Sequence, residues 1–139
     1  MTVETHRIDI ETRGNNQVLD LTPHLLKVLA GSKIADGVAT LFVIGSTAGI
    51  TTTEYEPGLV NHDLKYYFDK FAPEDAHYEH EATWGDDNGH AHVRASLLGP
   101  SLTVPIVKGK PTLGQWQQIV LIDFDTRPRT REVVVQVVA

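Results

Sequence analysis

The chain has 139 residues, 41% hydrophobic and 22% charged, with no cysteine. That suffices for one ordinary globular domain and excludes a disulfide scaffold, a thiol nucleophile and a cysteine-ligated zinc. Twelve Lys and Arg against 18 Asp and Glu give a formal charge of −6 with neutral His, a field that repels polyanions and argues against nucleic acid as a partner. No apolar run reaches membrane-spanning length, and the N-terminus lacks a basic stretch followed by an apolar one. The expectation is a cytoplasmic protein with no membrane partner.

Residues 5–12 alternate His6, Ile8 and Ile10 with Arg7, Asp9 and Glu11, the period of a half-buried strand, and Gly14, Asn15 and Asn16 supply the turn after it. Thr22 before Pro23 predicts a helix with a threonine N-cap, apolar spacing up to Leu29 and a stop at Gly31. Residues 38–44 and 50–54 read as strands. The small residues Gly45 to Gly49 between them suit either close approach of a ligand or a hairpin turn. Pro57 opens a second helix whose apolar stripe runs through Val60, Leu64, Tyr67 and Phe71 and stops at Pro73.

Residues 74–88 show no sustained period and read as a long loop of the kind that carries function. Residues 90–98 alternate as a strand would, yet a cap at Asp87 or Asn88, the Ala and Leu content and the Gly99-Pro100 stop favour a helix. Strands over 102–107, 116–124 and 131–138 complete the chain. The expected fold class is α+β: a mainly antiparallel sheet, sandwich or half-barrel, with two or three helices against one side, in a single domain over residues 1–139.

His77, His80, His90 and His92 crowd beside Asp86 and Asp87. Imidazole and carboxylate suit a divalent zinc, iron or manganese ion when thiolates are absent. In a helix His92 lies one turn beyond Asn88 while His90 points about 200° away, so only one of the two serves a given site. The plainer alternative is a set of hydrogen-bonded histidines in an acidic loop. Glu54 and Asp63 are candidate acids, bases or metal carboxylates, or else a helix-entry charge and a solvated helix-face acid. Arg129 and Arg131 suit a phosphate fork or a charged strand edge, and Trp116 among Gln115, Gln117 and Gln118 suits a pocket wall or strand filler. Phosphate-cradling GxxxxGK[ST], GxGxxG and HExxH are all absent, which argues against kinase, dinucleotide-binding and zincin readings.

Several ordered segments resemble the YjbQ-like, or secondary thiamine-phosphate synthase, family. Residues 45–54, GSTAGITTTE, resemble the family's HTTAGxTxNE; His62-Asp63 match its helical HD pair, and Tyr78-Glu79-His80 its YxH. Asp87 and His92 stand ahead of Ser96-Leu97-Leu98-Gly99, and Ser101, Val104, Ile106, Gly109, Gly114, Trp116, Gln117 and Ile119 match the signature ending in GTWQ-x-I. Gly45, Thr53 and Gln115 replace the family's His, Asn and Thr.

The resemblance implies a compact α+β domain in a homotrimer, with a polar, metal-containing site near subunit boundaries. It also implies weak transfer activity joining a pyrimidine diphosphate to a thiazole phosphate. Together with the His/acid cluster, it points to His80 and His92, with Asp63 or Asp87, as ligands of a divalent metal, zinc or magnesium. Glu54, Asp63 and His92 are the expected catalytic groups, and Ser46, Thr47, Trp116, Gln117 and Arg129 the expected contacts to a phosphorylated or heterocyclic metabolite. Loss of the family histidine at Gly45 keeps open a non-catalytic binder that uses the same pocket.

Overall fold

The computed structural model describes residues 1–139. In chain order the elements are β1 (Val3–Thr12), β2 (Gln17–Asp20), α1 (Thr22–Ala30), β3 (Gly37–Ile44) and β4 (Ala48–Glu54). A π-helical turn (Leu59–Asp63) then runs into α2 (Leu64–Phe71), followed by α3 (Glu79–Trp84) and α4 (Gly89–Leu98). The chain ends with β5 (Ser101–Val107), β6 (Lys110–Pro111), β7 (Gln117–Asp123) and β8 (Arg129–Val138). A five-stranded sheet, β1-β8-β3-β5-β6, faces a three-stranded sheet, β2-β7-β4, with antiparallel pairing throughout, as expected for an α+β half-barrel.

Hydrophobic period explains the layers. Alternate residues of β3 (Ala39, Leu41, Val43) and β8 (Val133, Val135, Val137) point inward, where they meet Leu25 and Leu29 of α1 and Ile119 and Leu121 of β7. The other face of β7, Val120 and Ile122, is equally buried, against Ala91 and Ala95 of α4, Val18 and Phe124. A strand covered on both faces cannot alternate, which is why 119–122 reads Ile-Val-Leu-Ile. Helices α2 and α4 thus cover the outside of the small sheet, while α1 belongs to the main core.

The structure corrects several local expectations. Thr22 is not the cap of α1: Leu21 holds that position, the Thr22 N–H donates to Asp20 Oδ1 at 3.0 Å, and Thr22 Oγ1 accepts the buried Ile119 N–H at 2.8 Å. β3 and β4 form no hairpin, because the chain passes from one sheet to the other through Gly45 at φ +138°. The π turn resets the stripe of the second helix, so Val60, Leu64 and Phe68 face the core. Tyr67 and Phe71 stay 66% and 59% exposed, lining an open groove with Leu59 and Leu97. Residues 79–84, expected within a loop, form α3. β2 and β6 are too short to show a period.

The outer face of the large sheet mixes apolar positions with polar ones, among them the row Thr5, Gln136, Thr40 and Thr103 and the Arg7–Glu132 pair. The row Val3, Val138, Val38, Pro105 crosses β1, β8, β3 and β5, and the next apolar positions along β3 are Phe42 and Ile44, both exposed.

Candidate functional site

β7 ends in an unusual composition: two carboxylates, Asp123 and Asp125, flank Phe124, and all three side chains are buried. Acids are rarely enclosed unless paired, and here both are. Asp123 receives Arg131 as a fork, Nε to Oδ2 at 2.7 Å and Nη2 to Oδ1 at 2.9 Å, and accepts the Thr12 hydroxyl at 2.6 Å. Asp125 accepts the Thr47 hydroxyl at 2.9 Å, Arg129 Nε at 3.0 Å and the Thr126 N–H at 2.8 Å. Burial pushes the Asp125 carboxyl up, but the Thr126 N–H, the Thr47 hydroxyl and the Arg129 guanidinium outweigh it and hold the group below its ordinary value. Asp125 is therefore an ionised acceptor.

That charge state orients the next residue. Buried Asn88 lies 3.4 Å from Asp125 Oδ1 through Nδ2 and 3.0 Å from His80 Nε2 through Oδ1. A carboxylate can only accept, so the amide NH2 faces Asp125 and the amide carbonyl faces His80. His80 Nε2 then carries the proton, and in the neutral ring Nδ1 holds the lone pair. His92 completes the pair: its ring centroid is 4.5 Å from that of His80, with the planes tilted by 59°. A continuous chain of hydrogen bonds thus runs from Arg131 through Thr47, Asp125 and Asn88 to His80, whose ring packs against that of His92.

Local sequence makes this convergence possible. His80 stands in the first turn of α3 and His92 one turn into α4, and the junction is held by Glu81 Oε1, which accepts the Gly89 N–H at 2.7 Å. A Cβ at Gly89 would lie 2.5 Å from Tyr78 Cβ, so only glycine allows this close approach. Thr126 donates to Asp87 at 2.8 Å and Arg127 reaches Asp86 at 3.3 Å, tying the turn before α4 to the β7–β8 connection.

His90 points elsewhere, as its helical position requires. It is 3% exposed, packs near Tyr78 and leaves Nδ1 without a partner. Burial, seconded by the nearby Arg94 charge, lowers its pKa from the ordinary 6.5. The folded state then binds fewer protons than the unfolded state between 6.5 and that lowered value, so this contribution to stability is complete above 6.5 and declines as pH falls through the window. Thermal midpoints measured across the window should fall more steeply in the wild type than in His90→Phe. Equal slopes would refute the assignment.

The other expected site residues divide by location. Thr47 and Arg129 belong to the network just described, and Ser46 is exposed beside it in the chain. Asp63 pairs instead with His62 Nδ1 at 2.7 Å beside the Tyr67–Phe71 groove, and Asp87 is bonded to Thr126. No group of three or more His, Asp or Glu side chains is arranged to hold a metal ion. The expected set His80, His92, Asp63 and Asp87 is thus not assembled within the chain.

Glu54, Trp116 and Gln117 lie at the opposite end of the small sheet. Glu54 pairs in register with Gln117, which donates to Thr52 at 3.0 Å in a cleft of about 430 Å³, and Trp116 stands 66% exposed. Asp123 stands six positions along β7 from Gln117, about 20 Å of extended chain. One small ligand cannot touch both ends within a single chain. Asn88, Asp123 and Asp125 were missed in their site roles. The signal for the two acids was their placement two apart inside an apolar strand.

Fold and site together define an α+β half-barrel domain carrying a histidine pair over a buried carboxylate–guanidinium network. The pattern of the UPF0047 protein YjbQ-like family matches residues 6–139. UPF0047 protein MJ1081 of Methanocaldococcus jannaschii is 35% identical over 132 residues, covering 95% of this chain and 92% of that protein. YjbQ of Escherichia coli O157:H7 is 29% identical over 132 residues, covering 94% and 93%. A solved structure of an uncharacterized yjbq/upf0047 family protein from Clostridium acetobutylicum superposes with a TM-score of 0.86 at 34% identity, covering 96% of this chain and 99% of that one. A hypothetical protein from Aeropyrum pernix gives 0.90 at 28%, covering 98% of each chain. The chain belongs to the YjbQ/UPF0047 family.

Proposed function

We propose that this protein is a small-molecule enzyme whose ligand sits against His80, His92 and Arg129, and that its reaction is of the thiamine-phosphate synthase type. The observation that supports this reading is the pairing of His80 with His92, with His80 oriented through Asn88 by ionised Asp125. In such a transfer the bond from the pyrimidine methylene to the diphosphate oxygen breaks with its electron pair. The thiazole nitrogen supplies the new bond, and pyrophosphate departs. Arg129, 41% exposed and anchored on Asp125 at 2.9 Å, is placed to offer a fixed cation to the departing anion. A protonated imidazole of the pair would neutralise further charge.

The test is formation of thiamine phosphate from the two precursors. His80→Ala and His92→Ala should each lower turnover by about a hundredfold or more. Variants as active as wild type would overturn the reading. Wild-type protein that binds a precursor without turning it over would favour the alternative, a non-catalytic binder, for which the missing family histidine at Gly45 is the motivating observation.

We further propose a homotrimer. The apolar row Val3, Val138, Val38 and Pro105, with exposed Phe42 and Ile44 further along β3, supports association, since exposed apolar surface marks interaction sites. Phe42→Glu should shift the mass in light scattering from three chains toward one. A wild-type protein that already runs as a single chain would refute the proposal.

A further inference from the structure

We propose that Gly45 opens a port to the guanidinium of Arg131 and that this port receives a phosphoryl group of the ligand. Arg131 is 6% exposed, yet its hydrogen bonds account for only two of its three nitrogens: Nε and Nη2 serve Asp123 and Thr47. Nη1 makes no hydrogen bond within the chain, and it is not among the enclosed atoms left without a partner. It points at residue 45, where a Cβ would lie only 2.7 Å away. Residue 45 is exposed and lacks that Cβ, so nothing of its own covers the guanidinium.

The chemistry follows from the bonds already made. With two nitrogens fixed by a carboxylate and a hydroxyl, Nη1 is a rigid, always charged donor whose orientation is settled before any ligand arrives. Exposed Ser46 follows Gly45 in the chain, and Arg129 is joined to Arg131 through Asp125 and Thr47. A tetrahedral oxyanion has several acceptor oxygens and can take a bond from Nη1 while turning others to Ser46 or Arg129. The substitution of the family histidine thus exchanges an imidazole for access to a guanidinium. The inference rests on the proposed function only in taking the ligand to be anionic.

Inorganic pyrophosphate is the probe, and the side-chain nitrogen resonances of Arg131, Arg129 and His80 in the intact chain are the readout. Pyrophosphate should shift the Arg131 resonances together with those of Arg129. Gly45→His should weaken its dissociation constant by about tenfold, the effect of losing one charge-assisted hydrogen bond, while the thermal midpoint confirms that the variant is folded. If Gly45→His does not fold, the wild-type titration still decides. Shifts at Arg129 and His80 with Arg131 unmoved would overturn the port and leave the proposed function standing. No shift at any of the three would overturn both.

Discussion

Asp123→Ala is expected to destabilise the fold by about 3–5 kcal/mol, because it leaves Arg131 Nε and Nη2, the two nitrogens turned away from Gly45, without the carboxylate they pair with. Arg131 is 6% exposed and Asp123 fully buried, joined by bonds of 2.7 and 2.9 Å at Nε and Nη2, so an acceptor reaching Nη1 from Gly45 does not replace the lost carboxylate. The same substitution strips the Thr12 hydroxyl of its 2.6 Å partner at the end of β1. Denaturant unfolding measures the loss. Asp123→Leu combined with Arg131→Met should recover most of it, since removing both charges leaves none uncompensated. A single variant within about 1 kcal/mol of wild type would mean that the pair is open to solvent, contrary to the burial described.

Phe124→Ala should cost a similar amount, about 3–5 kcal/mol, by a different route. Its ring is 1% exposed and meets Phe68 of α2 edge-on at 4.9 Å between centroids. It belongs to the same apolar cluster as Ala91 and Ala95 of α4. Deleting it leaves a cavity between the small sheet and its helices. Hydrogen exchange should therefore quicken in α2 and α4 well before it does in β3 and β8, whose core lies on the other side of β7. Uniform quickening across both layers, or a loss below about 1 kcal/mol, would contradict the two-core description.

These two residues are neighbours in sequence, yet one anchors a polar network and the other a helix layer. Strand alternation turns Phe124 toward the helices and leaves Asp123 and Asp125 to reach the network. Binary pattern reveals an apolar run interrupted by acids. It does not reveal that Arg131, eight residues on and in another sheet, answers the first of them. That pairing depends on the short β7–β8 connection, which carries the chain from the small sheet to the large one.

Elsewhere the sequence was a fuller guide. The long strands, α1 and the helix over 89–98 follow from local period and stop residues, with ends displaced by one or two positions, although neither helix takes the side-chain cap the sequence suggested. Helical geometry showed that His90 and His92 could not share a site, and the ordered family motifs together with the His/acid cluster pointed to His80 with His92, which the fold brings together. The π turn was not legible, because an extra residue per turn leaves no mark in composition, and it moved Tyr67 and Phe71 from the expected core to the surface.

By itself, then, the order of residues determined the fold class, the family and which imidazoles could meet, since each depends on short-range period or on an ordered set of motifs. Only the tertiary structure decided which acids serve them. Asp125 and Asn88 join His80 while Asp63 and Asp87 turn to His62 and Thr126. A carboxylate's partner is whatever donor the packed sheets bring within about 3 Å, and that distance is settled by the registry of β7 against its neighbours and by the closure of the half-barrel.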